Sequence, residues 1–170
     1  LDVFNWHTPW GPVFYTPIAT FSPEFLEYIA PFYLLLWNLM SAVIIAAFVL
    51  RYQQNVQLAI LAGCWFLLMA IIVGGYYVTL EPIYLPMMLL AWYLADAEKA
   101  NKRSWLLVGI LLGLALMVKQ FALVGILAVL PLAFRRKFWQ VFLLGWSIPI
   151  VLTVLFFWAN GLMPIDLFKN

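Results

Sequence analysis

Residues 105–134 read WLLVGILLGLALMVKQFALVGILAVLPLAF, an apolar stretch interrupted by one charge, Lys119. As a single helix this stretch would be about 45 Å long at about 1.5 Å per residue, with an ammonium near its middle. As two helices, 105–118 and 121–134, each would span roughly 21 Å and the chain would reverse at Lys119-Gln120. The flanks discriminate between the two. Lys99, Lys102 and Arg103 precede the stretch, and Arg135, Arg136 and Lys137 follow it. One long helix would put these clusters on opposite sides of a membrane, against the bias of Lys and Arg toward the cytoplasmic loops. It would also strand a cation in mid-bilayer at a cost of about 2.5–3.5 kcal/mol. A hairpin removes both conflicts, although no Gly or Pro marks its turn. Halves this short put the junction below the outer surface, inside protein or a wet cavity.

The rest of the chain follows the same pattern. Further apolar stretches cover 29–50, 58–76, 80–95 and 139–158. If each stretch crosses once, Arg51 joins the two clusters on one side, and only Lys119 and Lys169 fall on the other. The expected class is therefore all-α: a polytopic transmembrane bundle of about six helices, two of them short, with 1–170 part of one membrane domain. Composition agrees. The chain is 67% hydrophobic and 9% charged, with mean hydropathy +1.02. A soluble fold of 170 residues could not bury that much apolar surface, so a lipid bilayer is the expected partner. A net charge of +2 is explained by the loops and gives no case for nucleic acid.

Local signals refine the ends. Residues 1–28 are rich in Pro and aromatics, which suits an extracytoplasmic loop with an interfacial segment. Ser22-Pro23-Glu24 reads as a cap, a first-turn proline and a favourable acid. Ser104 is the expected cap of the helix that follows the basic loop. Trp139 and Trp158 bracket the last stretch, and Pro149 is expected to kink it. Residues 159–170 begin a further outer segment. No signal peptide opens the chain, residues 1–28 are expected outside, and Leu1 is not Met. A piece of a longer protein, with at least one membrane helix upstream, is the expectation.

Candidate chemistry is sparse. Lys119, with Gln120 beside it, suits a lipid-linked phosphate through charge-assisted hydrogen bonds; the plainer account is a lysine that snorkels to the interface. Glu81-Pro82 is either a helix start with a capping acid or a site residue, able to pair with Lys119 or contact a sugar hydroxyl. His7, between Trp6 and Trp10, is a candidate contact for a polar substrate edge or an ordinary loop histidine. Asp2 is a candidate general base or simply a loop acid. Gly109 and Gly113 form a GxxxG pair that reads as close helix packing. Arg135-Arg136-Lys137 reads as a cytoplasmic anchor with anionic-lipid contact as its extension. Cys64 is single, and no metal-ligand spacing, phosphate-cradling glycine loop or nucleophile elbow occurs.

The order NWHTPWGPVFYTPIATF, APFYLLLWNLMSAVIIAAFVLR, TLEPIYLPMMLLAWYLA, WLLVGILLGLALMVKQ and RRKFW resembles the middle of a GT-C integral-membrane glycosyltransferase. It is nearest to the kind that uses polyprenyl-phosphate mannose. The most characteristic piece is Gly109, Gly113, Leu114, Ala115 and Lys119. The resemblance covers nearly the whole chain, with motifs built mostly from common membrane residues. It implies a bacterial or archaeal plasma-membrane enzyme that moves a sugar from a polyprenyl-phosphate carrier to an acceptor glycan, lipid or protein at the outer face. Lys119 would contact the phosphate and Glu81 would line the donor cavity. The family uses an acid in its first outer loop as base; that motif is absent here unless Asp2 is its remnant. Metal use varies in the family, and no cofactor is identified in these residues. The competing reading is a multi-pass transporter or flippase-like carrier with a Lys119/Glu81 polar site, for which inverted repeats would speak; none is visible between the two halves. A purely structural membrane subunit is the third.

Overall fold

The computed structural model describes residues 23–74, 81–98 and 100–159. Among these the chain is all-α, with no strand. Six α-helices follow in order: α1 Pro23–Gln53, α2 Val56–Gly74, α3 Glu81–Ala95, α4 Lys102–Val118, α5 Leu123–Arg135 and α6 Trp139–Ala159. A single 3-10 turn, Gln120–Ala122, joins α4 to α5. Their lateral order is α2, α1, α3, α4, α6, with α5 laid against α3, α4 and α6.

Helix starts follow local chemistry. Pro23 opens α1, where a missing N–H costs nothing. The cap of α4 is Asn101 rather than Ser104: the Asn101 side chain accepts from the Ser104 amide at 3.0 Å and satisfies a first-turn donor. Ser104 is thus the recipient of the cap it was expected to supply. Pro149 lies within α6 without ending it.

The centre is built by α3 and α4. Ile83, Met87, Ala91 and Ala95 recur every fourth residue along α3 and are all buried. On α4 the buried ridge is Trp105, Val108, Leu112, Ala115 and Val118. Gly125, Ile126, Val129 and Ala133 form the single inward stripe of α5, while Val124, Leu127 and Phe134 on the same helix are exposed. Gly125 meets Met88 and Leu112, and its carbonyl accepts from Trp92 Nε1 at 3.4 Å.

The closest approach is between α4 and α6. A Cβ on Gly145 would lie 2.2 Å from the Leu106 carbonyl oxygen, and one on Gly109 would lie 2.2 Å from that of Phe142. Gly113 faces the Trp146 carbonyl and the Pro149 ring in the same way. Positions 105, 109 and 113 therefore pair with 138, 142–145 and 146–149, so the two helices run parallel. The GxxxG pair packs as its spacing predicts, against a third glycine from α6. On the far side Gly63 of α2 sits over Ala42 and Ala46 of α1, a second small-residue contact. The α4–α6 seam also takes Trp105 Nε1 and Trp146 Nε1 out of solvent with no partner among the described residues. Each such group costs about 1–3 kcal/mol, so the surrounding dispersion contacts have to outweigh it.

The long apolar stretch folds back. Val118 ends α4, Lys119 takes an extended conformation (φ −153°, ψ 132°), and the chain restarts through Gln120–Ala122. The return is fixed at the far end: Arg136 Nη1 donates to the Ala97 carbonyl at 2.6 Å, and the Phe138 ring stacks on Trp105 at 6.0 Å. Both partners flank the start of α4, so 123–135 runs antiparallel to it. The two-helix reading of 105–134 is the one observed, with the first helix ending at 118 as expected and the other boundaries shifted by one to three residues.

Among the described residues two helical stretches are long and apolar enough to cross a membrane, Ile29–Gln53 and Trp139–Phe156, with mean hydropathy 2.2 and 1.9. The apolar helices α2, α3 and α5 are shorter.

Gly145→Ala is expected to lower the thermal midpoint of the purified protein. Alanine gains about 1 kcal/mol of helix propensity, but a Cβ at 2.2 Å from a carbonyl oxygen must push two backbones apart, and overpacking costs about 1–3 kcal/mol. Gly63→Ala, whose Cβ would meet the Ala42 oxygen at 3.0 Å, should change stability less. Equal midpoints for Gly145→Ala and the parent would refute the contact. Separately, Asn101→Ala should cost about 1 kcal/mol in chemical unfolding through loss of the cap.

Candidate functional site

The bundle has two chemically distinct ends. Helices α1, α3 and α5 finish where α2, α4 and α6 begin, and Arg51, Lys102, Arg103, Arg135, Arg136 and Lys137 all lie at that end. Lys119 lies at the other. Lys99 and Lys169 are outside the described residues. The charge order along the chain is thus reproduced as a separation in space.

At the far end, Lys119 closes α4 and is half-buried. Its amide donates to the Ala115 carbonyl at 2.9 Å, and its own carbonyl accepts from Ala122 at 3.1 Å. The residue is therefore held in the backbone of both helices it separates. Its Nζ lies 5.6 Å from the Phe121 ring centroid, within the range where an aromatic face attracts a cation. Gln120 opens the 3-10 turn and is exposed. Glu81 is the first residue of α3. Because α3 is antiparallel to α4, that start lies at the same end as Lys119 and Gln120. The Glu81 side chain, Asp2 and His7 lie outside the described residues, as does the Trp/Pro segment around them. Of the sequence candidates, then, Lys119, Gln120 and the backbone of Glu81 share one end of the bundle.

The basic end holds a feature that reading along the chain missed. Arg51, Tyr52, Asp96, Ala97, Glu98 and Arg136 line a cavity of about 570 Å³. The Arg51 guanidinium carbon sits 3.4 Å from the Tyr93 ring centroid, and Arg51 Nη1 donates to the Tyr93 carbonyl at 2.7 Å. Asp96 accepts from the Tyr52 hydroxyl and lies 3.7 Å from Arg51. Phe48 meets Tyr93 edge to face at 5.2 Å. Arg136 closes the other side through its bond to Ala97. Arg51, Asp96 and Arg136 each lie within two residues of the end of an apolar stretch, which reads as a solvated helix end; only the folding back of three segments brings them together.

No group of His, Cys, Asp and Glu suited to a metal occurs among the described residues. Cys64 is exposed on α2. No protein-family model, curated protein or solved structure matches the chain.

A double-mutant cycle of Arg51→Gln and Tyr93→Leu should give a coupling of about 0.5–2 kcal/mol in unfolding free energy, the range for a guanidinium over a ring. Additive single effects would show that Arg51 and Tyr93 do not act as a pair.

Proposed function

We propose that this chain is a polytopic membrane domain with its basic end in the cytoplasm. We further propose that its opposite end binds the donor of a glycosyltransferase, a sugar on a polyprenyl phosphate. The membrane part is supported by surface chemistry. Only 17% of the most apolar window of α1 and 22% of that of α6 are buried within the chain. Leu36, Val43, Leu61 and Leu152 are more than half exposed, and side chains of this kind need an apolar solvent. Six described cations at one end match the bias of cytoplasmic loops.

The observation that carries the site is the helix break at Lys119. From the basic end α4 extends 17 residues and α5 only 13, about 26 and 20 Å against a hydrocarbon core of about 30 Å. Helix α3, with 15 residues, reaches about 22 Å. Counted in residues, these three central helices are shorter than α1 and α6, which run to 31 and 21 residues. On this proposal Lys119, Gln120 and the start of α3 floor a recess in the outer leaflet that takes a phosphate whose prenyl tail remains in lipid.

In the transfer, a carboxylate takes the proton from the acceptor hydroxyl as the hydroxyl oxygen attacks the anomeric carbon. The bond from that carbon to the carrier phosphate breaks, and the phosphate leaves with its electron pair. Lys119 meets the charge that grows on it. Asp2 is the proposed base, and Glu81 and His7 are proposed to line the sugar pocket. The resemblance in residue order to GT-C glycosyltransferases supports the same assignment. Acceptor and donor sugar enter by class alone: a hydroxylated glycan, lipid or protein, and a hexose.

Lys119→Ala in the full-length protein should reduce transfer from a polyprenyl-phosphate sugar in vesicles by about 10²-fold or more, with Lys119→Arg retaining part of the rate. Unchanged transfer would remove Lys119 from the site. In a Cys64→Ala background, Gln120→Cys should react with an impermeant maleimide added outside sealed cells. Labelling only after the cytoplasmic face is opened would invert the proposed orientation.

A further inference from the structure

The cavity at the basic end plays no part in sugar transfer on the opposite side, and its chemistry points elsewhere. Its walls come from three segments distant in sequence: Arg51 and Tyr52 close α1, Asp96, Ala97 and Glu98 follow α3, and Arg136 follows α5. Two guanidinium groups face the space, and both are held in place by backbone carbonyls, of Tyr93 and Ala97. A carbonyl fixes an arginine without neutralising it. Arg51 has Asp96 at 3.7 Å, and that carboxylate is shared with the Tyr52 hydroxyl. Arg136 has no carboxylate within ion-pair distance among the described residues. Lys102, Arg103, Arg135 and Lys137 surround this end and are exposed. Six cations therefore stand against two acids, and two of the cations are pre-positioned at a cavity rather than free in solution.

The surroundings say what kind of anion fits. Leu50 and Phe134, adjacent to the two arginine-bearing segments, are 44% and 53% exposed. Phe134 stacks on Trp139 at 5.6 Å, an aromatic pair beside Arg135–Lys137 of the type found at a membrane interface. A soluble anion has no use for this apolar rim. An amphiphile uses both parts: phosphate against the guanidinium forks, acyl chains along the outward faces of α1 and α5.

We infer that the cavity lined by Arg51, Tyr52, Asp96 and Arg136 is a binding site for the headgroup of an anionic phospholipid in the cytoplasmic leaflet. The phosphodiester lies between Arg51 and Arg136, and Asp96, Tyr52 and Glu98 offer acceptors and a hydroxyl to a glycerol-type headgroup. Such a lipid bridges the ends of α1, α3 and α5, adding to the hydrogen bonds, ion pair and ring contacts that join them there. The inference rests on the membrane orientation proposed above, and not on the transfer reaction.

The test uses the full-length protein in detergent micelles containing equal amounts of phosphatidylglycerol and phosphatidylcholine, with retained lipid read by native mass spectrometry. The parent should keep phosphatidylglycerol in roughly fivefold or greater preference. Arg51→Gln/Arg136→Gln should bring the preference close to one. Arg136→Gln alone, which leaves the Arg51–Tyr93 stack intact, should lower it partway and guards against a folding defect in the double variant. Lys102→Gln/Arg103→Gln removes equal charge outside the cavity and should leave most of the preference. An equal loss in that control would mean diffuse attraction and overturn the site, as would displacement of the lipid by millimolar inorganic phosphate. Carbonate extraction separates the two failures. Release of the chain from membranes would sink the membrane reading itself, whereas retention without lipid preference would sink only the headgroup site.

Discussion

Everything in this fold answers to the contact between α4 and α6, where Gly109, Gly113 and Gly145 let two backbones touch. The two helices are parallel, and parallel neighbours cannot be joined by a short turn: the chain must first return to the end from which it started. Helix α5 is that return. Its presence requires a reversal near residue 119 and brings residues 135–137 back to the end occupied by 96–98 and 100–103. The hairpin, the clustering of basic residues and the placement of Lys119 at the opposite end are thus three consequences of one close approach. Positions 109 and 145 need to be glycine for a geometric reason, since a Cβ there would lie 2.2 Å from a carbonyl oxygen of the facing helix.

The reversal itself is made without the usual punctuation. Lys119 leaves the helical region for an extended conformation open to any residue, and a single 3-10 turn restarts the chain. No glycine or proline is required. A reading based on breakers therefore finds nothing there, while a reading based on charge succeeds. The lysine is disfavoured in mid-membrane, and its flanking clusters demand the same side. In this case electrostatics across thirty residues carried more information than local propensity at two.

Legibility varied by residue for reasons that can be named. The GxxxG pair of α4 and Pro23 at the first turn of α1 were readable because each follows from spacing or from one residue's stereochemistry. The cap of α4 was assigned to Ser104 because serine there precedes the apolar run; Asn101 won because its longer side chain reaches the Ser104 amide from one turn upstream. The cavity at the basic end was not readable at all. Arg51, Asp96 and Arg136 are separated by about forty residues each, and every one looks locally like a solvated helix end. Of the candidates at the end away from the basic cluster, Lys119 and Gln120 stood out as polar residues within an apolar run, and the chain reversal gives them a shared location with the start of α3.

Composition and the order of charges along the chain were sufficient for the all-α class, the number of helices and the hairpin, because these depend on one-dimensional quantities: how long a segment stays apolar and where its cations fall. Which helices touch, that α4 lies against α6 rather than along α5, and which arginines face one another depend on backbone separation and side-chain reach. Those quantities come into being only when distant segments pack. A glycine is a gap in sequence; only a neighbouring backbone turns it into a contact, and only three helix ends meeting turn separate arginines into a site.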